Sequence, residues 1–187
     1  MMYKQCRTEQ SASRQRILEN GLLEAMLTRH YDEISVSDLC TQLEIPRKSF
    51  YRYFSSKEGA LHALLDHSLM EFEGFATENL DICQEMENFF RYWHSRKPLL
   101  DALERSSMSG VLIQRAIGHA LSETVTPQNS QNQKNTQNYA VIFGVCGLMS
   151  LVVQWHHDGY PVGVRQMAEN AAQLLQQPIY PSLEGLF

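Results

Sequence analysis

Arg47, Lys48, Arg52 and Lys57 stand among Phe50, Tyr51, Tyr53 and Phe54 in the stretch IPRKSFYRYFSSKEGAL, residues 45–61. Guanidinium and ammonium groups bind phosphate oxygens and the acceptor edge of guanine, and aromatic rings supply the anchor that holds a short segment carrying them. On a helix turning about 100° per residue, Phe50 and Phe54 share one side, Lys48 and Arg52 lie opposite, and Arg47, Ser49 and Tyr51 take the flanks. The apolar side can be buried while the donors project outward into the major groove of DNA. Taken alone, such a face is more often ordinary solvated surface, so the elements around it decide.

Those elements read as helices throughout, because apolar residues recur at three-four spacing and no stretch alternates as a strand does. A first helix is expected over Ser13–Arg29, with Ile17, Leu18, Leu22, Ala25 and Met26 on one face. Ser35 is the expected N-cap of a short second helix that buries Val36, Leu39 and Leu43. Glu44 and Ile45 then turn the chain, Pro46 suits the first position of a third helix, and Ser55 and Ser56 break it before a fourth from Lys57 to about Phe72. A short helix, a turn and a second short helix make a helix-turn-helix, whose second member reads DNA.

Further helices are expected around Ile82–Trp93, Leu99–Leu103 and Ile113–Leu121. The polar run TPQNSQNQKNTQ, residues 126–137, reads as a loop. An eighth helix spans Asn138–His157, stopped by Asp158, Gly159, Tyr160 and Pro161, and a ninth carries Val164, Met167, Ala168, Ala171, Leu174 and Leu175 on one stripe. The fold class is all-α: a three-helix DNA-binding domain over residues 1–56, followed by about six helices over residues 57–187.

Composition constrains the function classes. The chain has 187 residues, 43% of them apolar, and a net charge of −5. Bulk basicity therefore does not advertise nucleic acid, but charge is unevenly placed: nine Lys or Arg face seven acids through Lys57, and seven face fourteen beyond it. Cys6, Cys40, Cys83 and Cys146 are scattered without zinc-site spacing, and His156 and His157 are adjacent and point to different helix faces, so no metal or other cofactor is expected. The N-terminus lacks the apolar run of a secretory signal. The apolar stretch Ala140–Val153 falls short of the roughly 20 residues that cross a bilayer and is expected to be a buried helix, so a cytoplasmic chain without membrane contact is expected. No GxSxG, Walker, HExxH or nucleotide-binding glycine pattern supports catalysis.

The run ILENGLLEAMLTRHYDEISVSDLCTQLEIPRKSFYRYFSSKEGAL, residues 17–61, resembles the N-terminal domain of tetracycline-repressor-like (TetR) transcription regulators, with SFYRYFSSKE at Ser49–Glu58 as the best-matching part. The resemblance implies groove contacts from Arg47, Lys48, Ser49, Tyr51 and Tyr53, and phosphate contacts from Ser35, Ser37 and Lys57. It also implies a homodimeric repressor, released from a pseudo-palindromic double-stranded DNA operator by a small-molecule effector. A family member acting as a coactivator under a protein partner is the alternative. The chain departs from the pattern at His30 and Glu44, where the family often has glycine.

The eighth helix places the small residues Ala140, Gly144, Gly147 and Ser150 along one stripe, which lets another helix approach closely. With Met167, Ala171 and Leu174 of the ninth helix, the resemblance makes this a four-helix dimer interface; packing inside one chain is the alternative. Phe89, Phe90, Tyr92, Trp93 and His94 form the densest aromatic cluster outside the DNA end, either ordinary core or the wall of an effector cavity. No ligand-binding residue is assigned.

Overall fold

The hydroxyl of Thr8 accepts the Ser11 amide at 3.3 Å and opens the first helix earlier than the expected Ser13. In the computed structural model, which describes residues 3–73, 81–123 and 131–176, the helices are α1 (Glu9–Met26), α2 (Val36–Gln42), α3 (Arg47–Tyr51), α4 (Lys57–Glu73), α5 (Ile82–Ser95), α6 (Lys97–Arg105), α7 (Ser109–Glu123), α8 (Gln131–His157) and α9 (Val164–Gln176). The fold is all-α, as the periodicity requires, with one isolated antiparallel bridge between Tyr3 and Phe54 among the described residues.

α1, α2 and α3 form the N-terminal unit. Leu22, Met26, Ile34, Leu39, Phe50 and Phe54 are essentially inaccessible to solvent and make its core with Leu61 and Leu65 of α4. Gly21 permits the closest α1–α2 approach: a Cβ there would lie 2.7 Å from Leu43 Cδ1. α4 belongs to both halves of the molecule, because it packs against α1 on one side and α7 on the other.

The remaining helices pair in a way the sequence did not indicate. α9 lies along α5, with Met167, Ala168, Ala171 and Ala172 buried, while α8 lies along α7. Phe89, Phe90, Tyr92 and Trp93 are buried as core: the Phe72 and Phe89 rings stand 5.4 Å apart and those of Phe90 and Trp155 5.7 Å apart. His94 lies at the exposed margin, 4.7 Å ring to ring from Tyr160.

α8 begins at Gln131, so residues 131–137 are helical rather than loop. Gln and Lys are good helix formers, and extending an existing apolar helix needs no new nucleus. The rest of the expected loop, residues 126–130, lies outside the described residues. The 22-residue stretch Thr136–His157 is long and apolar enough to cross a membrane by length and composition, with an 18-residue window of mean hydropathy 1.5 of which only 22% is buried. That corrects the expectation of a short buried helix. Met149, Val152 and Trp155 face the core, but Tyr139 and Phe143 are 70% and 63% exposed.

Candidate nucleic-acid interface

Pro46 sets the start of α3 with extended backbone (φ −65°, ψ 141°), and its carbonyl accepts the Ser49 amide at 2.8 Å. Phe50 and Phe54, with ring centroids 5.2 Å apart, pin the helix from beneath. Arg47, Lys48 and Arg52 are exposed, Ser49 is half-buried and Tyr51 is 48% exposed. The Arg47 guanidinium donates to the Tyr51 hydroxyl at 3.4 Å and sits 5.9 Å from its ring centre. The bond to Tyr51 raises the guanidinium's already high pKa, so Arg47 is a fixed cation held beside a phenol. Tyr53, by contrast, is buried, its ring 6.4 Å from that of Phe54.

The turn before α3 closes α2 by two bonds, Ile45 N–H to the Cys40 carbonyl at 2.9 Å and Glu44 N–H to the Thr41 carbonyl at 3.2 Å. This closure requires a left-handed residue at its centre, and Glu44 takes it with φ 53°. His30 needs no glycine, because its backbone is extended with φ −64° and its Nδ1 accepts the Asp32 amide at 3.3 Å.

Ser35 and Ser37 sit at the start of α2, both exposed. Ser35 Oγ accepts the Asp38 amide at 3.1 Å and the Asp38 carboxylate accepts the Ser35 amide at 2.8 Å, the reciprocal cap that pulls the Asp38 pKa down. The Ser35 O–H proton stays available to an acceptor. Lys57 opens α4, where its ammonium donates to the carbonyls of Tyr31 at 2.6 Å and Ile34 at 2.7 Å and lies 3.9 Å from the Tyr31 ring centre. Burial lowers its pKa. Lys57 therefore bridges α4 to the segment leading into α2.

Arg47, Lys48, Ser49 and Tyr51 thus share one short helix, Ser35 and Ser37 lie at the entry to α2, and Tyr53 faces the core. The dimer candidates are not one continuous surface within the chain: Ala140 and Gly147 are exposed, Gly144 half-buried and Leu174 53% exposed, whereas Met167 and Ala171 are buried in the unit packed on α5. Sequence reasoning missed Tyr3, Asp66, Ser106 and Arg115, whose hydrogen bonds span 49 to 75 residues and leave no local pattern. Among the described residues no group of His, Cys, Asp and Glu is placed to hold a metal ion.

A helix-turn-helix with an exposed basic second helix is the geometry of a DNA reader, and residues 22–64 match the family of bacterial regulatory proteins called tetR. Residues 22–64 carry a TetR-type DNA-binding segment. The matched segment runs from the last residues of α1 through α2 and α3 into the first half of α4. No curated protein sequence matches. Solved structures share the fold: the dihydroxyacetone kinase operon activator DhaS at TM-score 0.58 and 15% identity, covering 87% of this chain and 94% of that one. The TetR family repressor AlkX from Dietzia sp. strain DQ12-45-1b, implicated in biodegradation of n-alkanes, matches at TM-score 0.54 and 16% identity, covering 91% of this chain and 95% of that one. A tetR-family transcriptional regulator from Streptomyces coelicolor matches at TM-score 0.53 and 17% identity, covering 86% and 78%.

Proposed function

We propose that this chain is a TetR-family transcription regulator, two copies of which, each with its DNA-binding unit in residues 1–56 and its regulatory unit in residues 57–187, associate through α8 and the exposed edge of α9. The dimer reads a pseudo-palindromic operator in the cytoplasm as a repressor. The observation that carries the reading is the uncovered face of α8: Tyr139 and Phe143 are exposed beside Ala140 and Gly147, and Leu174 and Leu175 are exposed on α9. Large apolar side chains left in water along a helix with small residues favour burial against a second copy, and a two-fold pair presents two reading helices to two half-sites. Met167 and Ala171 support that interface from behind, through the α5–α9 packing.

In each half-site Arg47, Lys48, Ser49 and Tyr51 touch base edges, Ser35 and Ser37 touch phosphate, and Lys57 spends its third N–H on phosphate. Tyr53 contributes through the packing that holds α3. A small effector acts by binding the DNA-competent and DNA-incompetent states with different affinity. A cleft of about 430 Å³, lined in part by Leu100, Glu104, Ser107, Gln154 and His156, is of the size such ligands occupy. Control of a coactivator by a protein partner is the second reading, favoured by the close packing of the Phe89–Trp93 cluster, which fills the space among the middle helices.

Gly147→Leu tests the interface cleanly, because a Cβ at Gly147 meets nothing within 4 Å in its own chain. Sedimentation should show monomers where the wild type is dimeric, with helical content by circular dichroism unchanged and operator binding lost. An intact dimer would remove α8 from the interface.

A further inference from the structure

The first residues of the described chain make contacts that nothing in the reading helix accounts for. Tyr3 faces Phe54 in the isolated bridge, and the Lys4 amide donates to the Tyr53 carbonyl at 2.9 Å. Tyr53 and Phe54 follow directly on α3, so this backbone is fastened to the exit of the reading helix. The Tyr3 side chain runs the other way. Its hydroxyl donates to Asp66 Oδ2 of α4 at 2.6 Å, and its ring lies 6.1 Å from that of His67. Asp66 is only 6% exposed, and Arg115 of α7 donates to it from Nε at 2.7 Å and from a second guanidinium nitrogen. Each donor offsets the cost of holding that carboxylate away from water, so the three side chains act as one group.

We propose that Tyr3 is a positioning residue for DNA binding: through Asp66 it ties the exit of α3 to α7, and so sets the angle of the reading helix relative to the regulatory half. α7 in turn lies along α8, so a shift of the regulatory helices reaches the exit of α3 through Arg115, Asp66 of α4 and Tyr3. Burial and the neighbouring Asp66 raise the phenol's pKa well above its ordinary value, which keeps it protonated and able to donate. The two ends of the tie have different chemistry. The backbone end is insensitive to side-chain substitution, and the hydroxyl end is lost on removing one oxygen.

The tie rests on α3 being the reading element, and the experiment separates the two. The probe is the DNA duplex that the wild-type protein selects from a random library. Tyr3→Phe keeps the ring and the backbone bridge and removes only the donor; affinity for the selected duplex should fall by roughly three- to tenfold, the range of one hydrogen bond. Relative preference among single-base variants of the duplex should not change. Arg115→Gln should give a loss of similar size, and the Tyr3→Phe/Arg115→Gln pair should lose little more than either alone, because both act through Asp66. A lower urea midpoint with unchanged affinity would overturn the proposal by making Tyr3 a matter of stability alone. Altered preference at particular base pairs would overturn it by placing Tyr3 on the DNA, and additive losses would remove Asp66 as the link. A wild-type protein that selects no sequence would remove the α3 reading and the tie with it.

Discussion

Glu44 holds a left-handed backbone, φ 53°, that glycine adopts without a steric penalty. Glu44→Gly should raise the urea midpoint by the equivalent of up to about 1 kcal/mol, since relieved strain opposes the added freedom of the unfolded chain; an unchanged midpoint would mean the turn has accommodated the side chain. The special position was legible through the family resemblance, because Glu44 stands where TetR-like chains usually have glycine in the turn. Lys57 was legible only in part. Its position at the start of α4 marks it for phosphate, but its bonds to the Tyr31 and Ile34 carbonyls join residues 26 and 23 positions apart, beyond the reach of periodicity. Lys57→Ala should therefore do two things at once. It should destabilise by about 1–3 kcal/mol, leaving two carbonyls without their donor, and reduce the slope of log K against log salt by about 1, as one phosphate contact is lost. Loss of stability with an unchanged slope would assign the ammonium wholly to the interior.

α2 has a cap that doubles as a proposed DNA contact, and substitution separates the two jobs. Ser35→Ala should cost about 1 kcal/mol of stability through the lost cap, and Ser35→Asp should keep the cap while placing a carboxylate against phosphate. Equal operator affinity for Ser35→Asp and the wild type would take Ser35 off the DNA. At the other end of the molecule, His157 of α8 joins Glu104 of α6 through Nδ1 at 2.5 Å, and that bond raises the imidazole pKa above its ordinary 6.5. A raised folded-state pKa means the contribution is fully present below pH 6.5 and is lost as pH rises through the higher folded value. Thermal midpoints from pH 5 to 9 should show that loss in the wild type and not in His157→Gln; parallel curves would leave the pair without weight. Helix existence was legible in nearly every case from three-four spacing. Helix partners were not: an apolar stripe on α9 says that Met167 and Ala171 are covered, without saying that α5 covers them.

At the scale of the whole molecule, sequence and structure agree on an all-helical chain with a helix-turn-helix near its N-terminus, and they part at α8. Its apolar content looked like core because a count of residues does not record which way each side chain points; Tyr139 and Phe143 point outward, and a single chain leaves them there. The account's central claim is that a symmetric pair of these chains reads DNA through α3. Selection of duplexes from a random library, repeated at several salt concentrations with the wild type, Arg47→Ala and Lys48→Ala, tests it most directly. The wild type should enrich two inverted half-sites with centres about 34–36 Å apart or a multiple of that. Each variant should lose roughly 1–3 kcal/mol at particular base pairs and relax preference there. A single half-site without a symmetric partner, or variants that weaken every sequence equally, would contradict the claim, the first by removing the dimer and the second by reducing α3 to a grip on the phosphate backbone.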